Sequence, residues 1–260
     1  MRETTRFAIE ITQHTGDLLL KYFRKNDLDT QIKWDRSIVT EADMAADQLI
    51  RDAIQSRFPD DFILSEEQER VATHQGDQSV WIVDPLEGTT NFNLGIHVWG
   101  VLITHLRKGY PDFAVLIFPL LDELYYAESG DGAFLNGKRI RVELPNKYRP
   151  LSFFACCSRT FRDYSVRVPY KVRILGSAAY SFCCLSRGSA IIAFEATPKI
   201  WDIAGAWLLV EEAGGVIDTL DGSRPFPFQS GVAYTGLNFP TLGAPDEAVL
   251  ERSKEQIRMM

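Results

Sequence analysis

The stretch "WIVDPLEGTTNF", residues 81–92, decides what fold and what kind of site we expect of this chain. An apolar run ends at Asp84, a proline follows, and Glu87 precedes the hydroxyl-rich turn Gly-Thr-Thr-Asn. Carboxylates are seldom placed beside a buried strand without a partner, because an unpaired buried charge is costly. The pattern therefore indicates a ligand site. A helix N-cap is the structural alternative for Asp84.

Two further acidic residues also stand at the ends of apolar segments. Glu66 follows "FILS", and Asp202 follows "PKIW". Ligands of α/β proteins bind at the carboxyl ends of strands, and converging carboxylates repel one another unless they hold a hard cation. Ligands that are all oxygen favour Mg2+. Each residue has a structural alternative when it is considered alone. Glu66 could lie in a solvated loop, and Asp202 could be the N-cap of a helix.

Gly88-Thr89-Thr90 supplies a close backbone approach, two hydroxyl groups and the free N–H groups of a helix start. Such a turn is a ready anion site. Carboxylates that bind metal beside a phosphate cradle indicate phosphoryl chemistry.

Hydrophobic periodicity predicts the remaining elements. In the first half these are a helix over 2–24, a helix from Thr40 to Arg57, strands over 61–67 and 79–84 with a turn from Pro85, an antiparallel meander, and a hairpin at Asn136-Gly137. In the second half they are the strand "LSFFACCS", a helix over 177–188, the strand "AIIAFE" and a helix that ends at Gly214-Gly215.

Strands dominate the first half, whereas strands and helices alternate in the second. We therefore predict two subdomains, 1–148 and 149–260, with the site between them. The fold class is α/β, with a mixed, mostly antiparallel sheet in the N-terminal half.

Composition excludes several classes of protein. The net charge of -7 argues against nucleic acid as a partner, and neither a signal peptide nor a membrane span is evident among the 260 residues. The cysteines form two adjacent pairs, Cys156-Cys157 and Cys183-Cys184, without metal or disulfide spacing. We expect four buried, reduced thiols and a cytoplasmic location.

Several motifs, in order along the chain, resemble one known family. "WIVDPLEGTTNF" resembles the D-P-[ILV]-D-G-T-[TS]-N-F motif of the inositol monophosphatase family, which comprises Mg2+-dependent, Li+-sensitive phosphatases. "WDIAGAWLLVEEAGG" resembles its second motif, and "IVTEAD", "SEE", "NGKRI" and "GSAAY" also fit. The resemblance covers nearly the whole chain. It implies a layered αβαβα fold, a homodimer and two or three Mg2+ ions per site.

The resemblance also implies roles for individual residues. The implied metal ligands are Glu66, Asp84, the carbonyl of Leu86, Glu87 and Asp202. Asp43 with Thr89 would orient the attacking water, and Glu66 would help to activate it. The implied substrate contacts are Gly88 and Thr89 at the phosphate, and Gly176, Ser177, Ala178, Glu195 and Asp202 around the alcohol. "KWDRS" would be a mobile flap that carries Lys33 and a third metal.

Glu87 departs from the family pattern, which has aspartate at this position. The extra methylene moves the carboxylate on the order of 1 Å, and Mg2+ tolerates little distortion of its ligands. We expect an active enzyme with an altered metal requirement. The alternative is an enzyme with an impaired second metal site.

The substrate follows less directly from the sequence. An inositol monophosphate-like ester is expected, with histidinol phosphate and fructose 1,6-bisphosphate as alternatives. The short segment between Glu67 and Val80 disfavours the nucleotide 3'-phosphatases among the relatives. A non-catalytic dimeric partner protein is the alternative from a different functional class, supported by Glu87 and by Ser65 in place of the usual glycine.

Overall fold

The fold is seen in a computed structural model that describes residues 1–23, 30–32, 38–68, 78–144 and 152–260. These residues form seven α-helices and sixteen strands. The helices are α1 Glu3–Phe23, α2 Glu41–Arg57, α3 Thr89–Asn93, α4 Thr160–Asp163, α5 Ala178–Ser186, α6 Ile200–Glu212 and α7 Glu247–Gln256. The strands before residue 140 are β1 Thr30–Ile32, β2 Ile38–Thr40, β3 Phe62–Ser65, β4 Val80–Glu87, β5 Gly100–Arg107, β6 Tyr110–Phe118, β7 Glu123–Glu128, β8 Gly132–Leu135 and β9 Lys138–Arg139. The later strands are β10 Phe153–Cys156, β11 Tyr164–Val166, β12 Lys171–Ile174, β13 Ala190–Glu195, β14 Val216–Thr219, β15 Thr241–Ala244 and β16 Ile257–Met259.

Two large sheets organise the molecule. The first has seven strands in sequence order, β3 to β9, and every pair is antiparallel except β3 with β4. The second has five strands in the order β12-β10-β13-β15-β14, of which β12, β10 and β13 run parallel. The predicted mixed sheet followed by an α/β half is confirmed.

Helices cover both faces of each sheet, which gives five layers. α1 and α2 pack on one face of the seven-stranded sheet, and α6 packs on the other. α5 packs against α6 and against the five-stranded sheet, whose far face carries α7. Three apolar clusters fill the spaces between these layers. The expected αβαβα arrangement is therefore present.

β4 is longer than the sequence pattern predicts. The turn expected from Pro85 is wrong, because the strand continues to Glu87 and turns only at Gly88, whose φ is +84°. The pairing of β4 with β5 shifts between Asp84 and Glu87, so Pro85 lies in an irregularity where its missing N–H breaks no ladder bond. This irregularity carries the chain past the sheet edge and into the site.

Most predicted elements match within a few residues. α1 and α2 occupy the expected ranges, Thr40 caps α2, and the hairpin turns at Asn136-Gly137, where both residues have positive φ. The predicted subdomain boundary falls on residues 145–151, outside the described residues, so the division at 148 stays a prediction. Within the described residues, no helix is long and apolar enough to cross a membrane.

Candidate active site

The parallel pair β3–β4 brings two of the predicted carboxylates together. Ser65 is in register with Val83, and the Glu66 N–H donates to the Val83 carbonyl at 3.1 Å. Glu66 therefore lies beside Asp84, the next residue of the neighbouring strand. The predicted convergence at this sheet edge follows directly from the strand pairing.

Asp84 is deeply buried, with 1% of its surface exposed. Its Oδ1 accepts a hydrogen bond from the Leu86 N–H at 3.2 Å, whereas its Oδ2 has no hydrogen-bond partner among the described residues. Burial raises the pKa of Asp84 well above its ordinary value, and the charges of Glu66 and Asp202 raise it further. The positive charge of a divalent cation would offset both effects by favouring the ionised carboxylate.

Asp202 comes to the same place from the other half of the chain. It lies in the first turn of α6, where its Oδ2 accepts a hydrogen bond from the Lys199 N–H at 2.6 Å. Burial raises the pKa of Asp202 to about 6, against the lowering effect of that hydrogen bond. Asp202 is therefore not the N-cap of α6, which is Lys199, but the third residue of the helix, whose carboxylate accepts a hydrogen bond from the N-cap N–H. Its predicted role as a metal ligand stays a prediction.

The structure also brings Asp43 and Thr89 together. The Thr89 Oγ1 lies 3.2 Å from Asp43 Oδ1 and 2.9 Å from the Leu86 carbonyl oxygen. The other oxygen of Asp43 accepts hydrogen bonds from the hydroxyl and the N–H of Thr40, which caps α2. The start of α2 thus fixes Asp43 against the turn after β4.

The Glu87 carboxyl group is bound by the start of α5, although it stays close enough to Asp202 for the Asp202 charge to raise its pKa. Its Oε1 accepts hydrogen bonds from the N–H groups of Ala178, at 2.6 Å, and Ala179, at 3.4 Å. Its Oε2 accepts a hydrogen bond from the Ser177 hydroxyl. Burial raises the pKa of Glu87 to about 8, although these hydrogen bonds lower it. Its predicted role as a metal ligand stays a prediction.

A cavity of about 320 Å3 opens beside these groups. Its lining includes Gly176, Ser177, Ala178 and Asp202, as well as Glu195 at the end of β13. Glu195 is buried, which raises its pKa well above the ordinary value, and the neighbouring Cys157 thiol raises it further. Five of the predicted substrate contacts thus line one cavity, whereas Gly88 and Thr89 are not among its lining residues.

Three residues of this region were missed by the sequence analysis. Asn91 donates from its side chain to the carbonyls of Val98, at 2.7 Å, and Leu175, at 2.9 Å, which ties α3 to the segment before α5. Its place inside the opening motif was the available signal. Arg159, which bonds the Thr197 hydroxyl, and Cys157 also line the cavity, and no sequence pattern marks them.

The thiol prediction is correct for three of the four cysteines. Cys156, Cys183 and Cys184 are buried, whereas Cys157 is half-buried at the cavity. The predicted flap "KWDRS" with Lys33 lies outside the described residues.

As the side chains lie, no three His, Cys, Asp or Glu side chains in the described ranges stand close enough to hold an ion. Glu87 is directed at α5, and one oxygen of Asp202 is engaged at Lys199. The fit to a divalent cation rests instead on the buried Asp84 oxygen, which has no hydrogen-bond partner in the described part of the chain, and on the charges of Glu66 and Asp202, which raise the pKa of Asp84. Those donors are the hard oxygen ligands that Mg2+ takes.

Comparison with known proteins agrees with this geometry. The sequence model that describes the inositol monophosphatase family matches residues 1–257 of this chain. The chain belongs to the inositol monophosphatase family. It is therefore a phosphatase, a hydrolase of phosphate monoesters.

Relatives within the inositol monophosphatase family carry different names. A histidinol-phosphatase of Chlorobaculum parvum is 34% identical over 83% of this chain and 85% of its own length. A fructose-1,6-bisphosphatase/inositol-1-monophosphatase of Thermotoga maritima is 32% identical over 88% of this chain and 91% of its own. The crystal structure of the extragenic suppressor protein SuhB from Bartonella henselae superposes with a TM-score of 0.82 at 25% identity, covering 98% of each chain.

Proposed function

We propose that the protein hydrolyses a small phosphate monoester, resembling an inositol monophosphate, with Mg2+ as its metal. One observation carries the proposal: a buried Asp84 oxygen has no hydrogen-bond partner among the described residues, the charges of Glu66 and Asp202 act on the same carboxylate, and the Asp43–Thr89 contact follows β4. A buried cluster of like charge is stable only when a cation or protons compensate it. A cation beside the Thr89 hydroxyl, which Asp43 holds in place, would suit the transfer of a phosphoryl group to water.

The proposed metal-binding groups are Glu66, Asp84, Asp202 and the Leu86 carbonyl. When bound, Mg2+ would supply Lewis-acid activation of a water and neutralise charge on the phosphate and the leaving oxygen. The number of ions, predicted as two or three, stays a prediction.

Asp43 and Thr89 orient the attacking water in this proposal. Because Asp43 is buried and its second oxygen is held by Thr40, its first oxygen is fixed at the Thr89 hydroxyl. The hydroxyl oxygen can then accept a hydrogen bond from a water and set its direction of approach. Attack in line with the leaving group requires this fixed direction.

The turn after β4 would hold the phosphate. Gly88 adopts a left-handed conformation in which a Cβ would lie 3.0 Å from the Val98 carbonyl oxygen, so a side chain is strained there. The close backbone approach lets the N–H groups of Gly88 and Thr89 meet a phosphate oxygen.

The cavity would hold the alcohol. Its volume of about 320 Å3 and its buried Glu195 fit a small polar group with hydroxyl or amine functions. An inositol-like ring meets these conditions. The names of the two enzyme relatives keep histidinol phosphate and fructose 1,6-bisphosphate as alternatives.

Phosphate release from a panel of inositol, sugar and histidinol phosphates tests the proposal. Asp84→Asn should abolish release, and so should removal of metal with EDTA. Added Mg2+ should restore phosphate release to the EDTA-treated protein that carries no substitution. Asp60→Asn, at an exposed aspartate outside the motif, is the matched control. If Asp84→Asn and the untreated protein release phosphate equally on every substrate, the proposal is wrong and the non-catalytic alternative gains support.

The homodimer, the cytoplasmic location and the absence of a nucleic-acid partner remain predictions. Sedimentation of the purified chain tests whether it is a homodimer.

A further inference from the structure

The Glu87 carboxylate is bound by three donors at the start of α5. They are the N–H groups of Ala178 and Ala179 and the hydroxyl of Ser177, which is also the N-cap of the helix. Glu87 is 4% exposed, and both of its oxygens are engaged. Carboxyl oxygens at this place satisfy N–H groups that the helix leaves unpaired.

The contact joins two separate layers of the molecule. Glu87 ends β4 in the seven-stranded sheet, whereas α5 packs on the five-stranded sheet. Asn91 makes a second link nearby, through the Leu175 carbonyl. Gly176 lies between the two links, where a Cβ would be 2.6 Å from Asn91 Oδ1, so the chain approaches closely here.

The extra methylene of glutamate supplies the reach for this contact. An aspartate carboxylate would stop on the order of 1 Å short, too far to hold both N–H groups at hydrogen-bond length. The residue that departs from the motif is thus the residue whose length suits the helix start.

We propose that Glu87 is a positioning residue that fixes the N-terminus of α5, and with it one wall of the cavity, and that it is not a metal ligand. The identity of the ion rests on the proposed function, but the helix contact does not. The cation is then held by Glu66, Asp84, Asp202 and the Leu86 carbonyl without Glu87. Because the Ala178 and Ala179 N–H groups donate to Glu87, they are not available to bind the substrate.

Two substitutions separate the two roles. Glu87→Gln keeps one acceptor for the Ala178 N–H and can donate to the Ser177 hydroxyl, whereas Glu87→Ala leaves all three donors without a partner. Either substitution would remove the negative charge that a metal ligand supplies, and glutamine would keep only a weaker, neutral oxygen donor. Gln should therefore rescue a positioning role and fail to rescue a ligand role.

The first measurement uses the full-length chain in EDTA, without substrate. Hydrogen exchange of the Ala178 and Ala179 amides should rise at least about tenfold in Glu87→Ala and by less than about threefold in Glu87→Gln, with residues 183–186 as the internal reference. The melting temperature of the Ala variant should fall by about 4 °C or more. Unchanged exchange in Glu87→Ala would overturn the helix role, whatever the protein hydrolyses.

The second measurement is Mg2+ binding by titration calorimetry. Glu87→Gln should bind Mg2+ with the affinity and stoichiometry of the unaltered protein, within about twofold. A tenfold or greater loss in the Gln variant, or the loss of one bound ion, would show that Glu87 is a ligand and overturn the proposal. Phosphate release is not used in either measurement, so a failed phosphatase assay does not decide them.

Discussion

The Thr89 hydroxyl carries one proton but lies within hydrogen-bond distance of two acceptors. Leu86 O is 2.9 Å away and Asp43 Oδ1 is 3.2 Å away. The hydroxyl can donate to only one of them at a time, and its lone pairs then face whatever lies in the site. A bound cation that occupied the Leu86 carbonyl would favour donation to Asp43.

Removal of this hydroxyl should slow hydrolysis without unfolding the protein. We expect Thr89→Val, which keeps the shape, to lower kcat about 100-fold or more, because the attacking water loses its orienting partner. Thr89→Ser, which keeps the hydroxyl, should stay within about tenfold of the unaltered enzyme. Steady-state phosphate release measures both, and equal kcat values for the Val and Ser variants would contradict the role of the hydroxyl.

Asp112 provides a second prediction, away from the site. It contacts Arg2 at 2.7 Å, Arg107 at 2.9 Å and His105 at 3.5 Å. Burial alone would raise the pKa of Asp112, but the nearby His105 ring, the hydrogen bond from Arg2 and the charges of Arg2 and Arg107 lower it to about 2. The pKa of Asp112 is lower in the folded protein than in the unfolded chain. The stabilisation is therefore fully present above the unfolded pKa and is lost as the pH falls towards the folded pKa.

Asp112→Asn should therefore lower the free energy of unfolding by about 1 kcal/mol near pH 7, after allowance for solvent screening. The difference from the unaltered protein should shrink between pH 4 and pH 2. Urea unfolding at a series of pH values measures it, with Asp60→Asn as the control. A difference that is constant down to pH 2.5 would show that the loss is one of packing, not of charge.

At the level of residues, the sequence predicted which carboxylates meet but not how each is engaged. Asp84 and Glu66 were predictable because a parallel strand pair places its ends together. Glu87 was predicted only as a ligand, because its contact with α5 joins residues about ninety positions apart. No local pattern encodes a contact of that separation.

Individual helices depend on their first residues for stability. Ser177, Thr40 and Asp246 each accept a backbone N–H bond at the start of α5, α2 and α7 respectively. Thr40 and Ser177 also contact Asp43 and Glu87 at the site, whereas Asp246 caps α7 on the far side of the five-stranded sheet. A substitution of Asp246 therefore measures how much a helix cap contributes to the free energy of unfolding, without an effect on the site.

Asp246→Ala should lower the free energy of unfolding by about 1 kcal/mol, because the Val249 N–H loses its acceptor at 2.8 Å. Phosphate release should be unchanged. Asp246→Ser, which keeps an acceptor, should recover most of the loss. A similar loss in the Ser variant would mean that the helix cap is not the cause.

Element boundaries were predictable where local chemistry sets them. Thr40 with Asp43 predicted the start of α2, and Gly188 and Gly214, both with positive φ, marked the ends of α5 and α6. Pro85 misled the prediction of β4, since a proline is tolerated in an irregular strand pair that the sequence does not reveal.

In the whole molecule, the distance between layers depends on small residues. Gly205 of α6 faces the seven-stranded sheet, where a Cβ would lie 2.8 Å from Thr104 Oγ1 and 3.2 Å from Leu116 Cδ1. The helix therefore lies closer to the sheet than any side chain at this position permits. Asp202, in the first turn of α6, depends on this approach to face Asp84.

Gly205→Ala should destabilise the protein by about 1–2 kcal/mol, although alanine favours a helix by about 1 kcal/mol. The same change in a Thr104→Ala background should cost less, because the nearest atom is gone. Urea unfolding of the four proteins gives the coupling. A stabilising Gly205→Ala would contradict the tight approach.

Cys157 gives the protein a natural attachment point. The chain has four cysteines, and three of them are buried in the layers, where burial raises the pKa of the thiols of Cys156, Cys183 and Cys184. The half-buried thiol of Cys157 lies at the cavity that we assign to the alcohol. A single maleimide dye can thus report occupancy of the cavity in the unaltered chain, with no engineered cysteine.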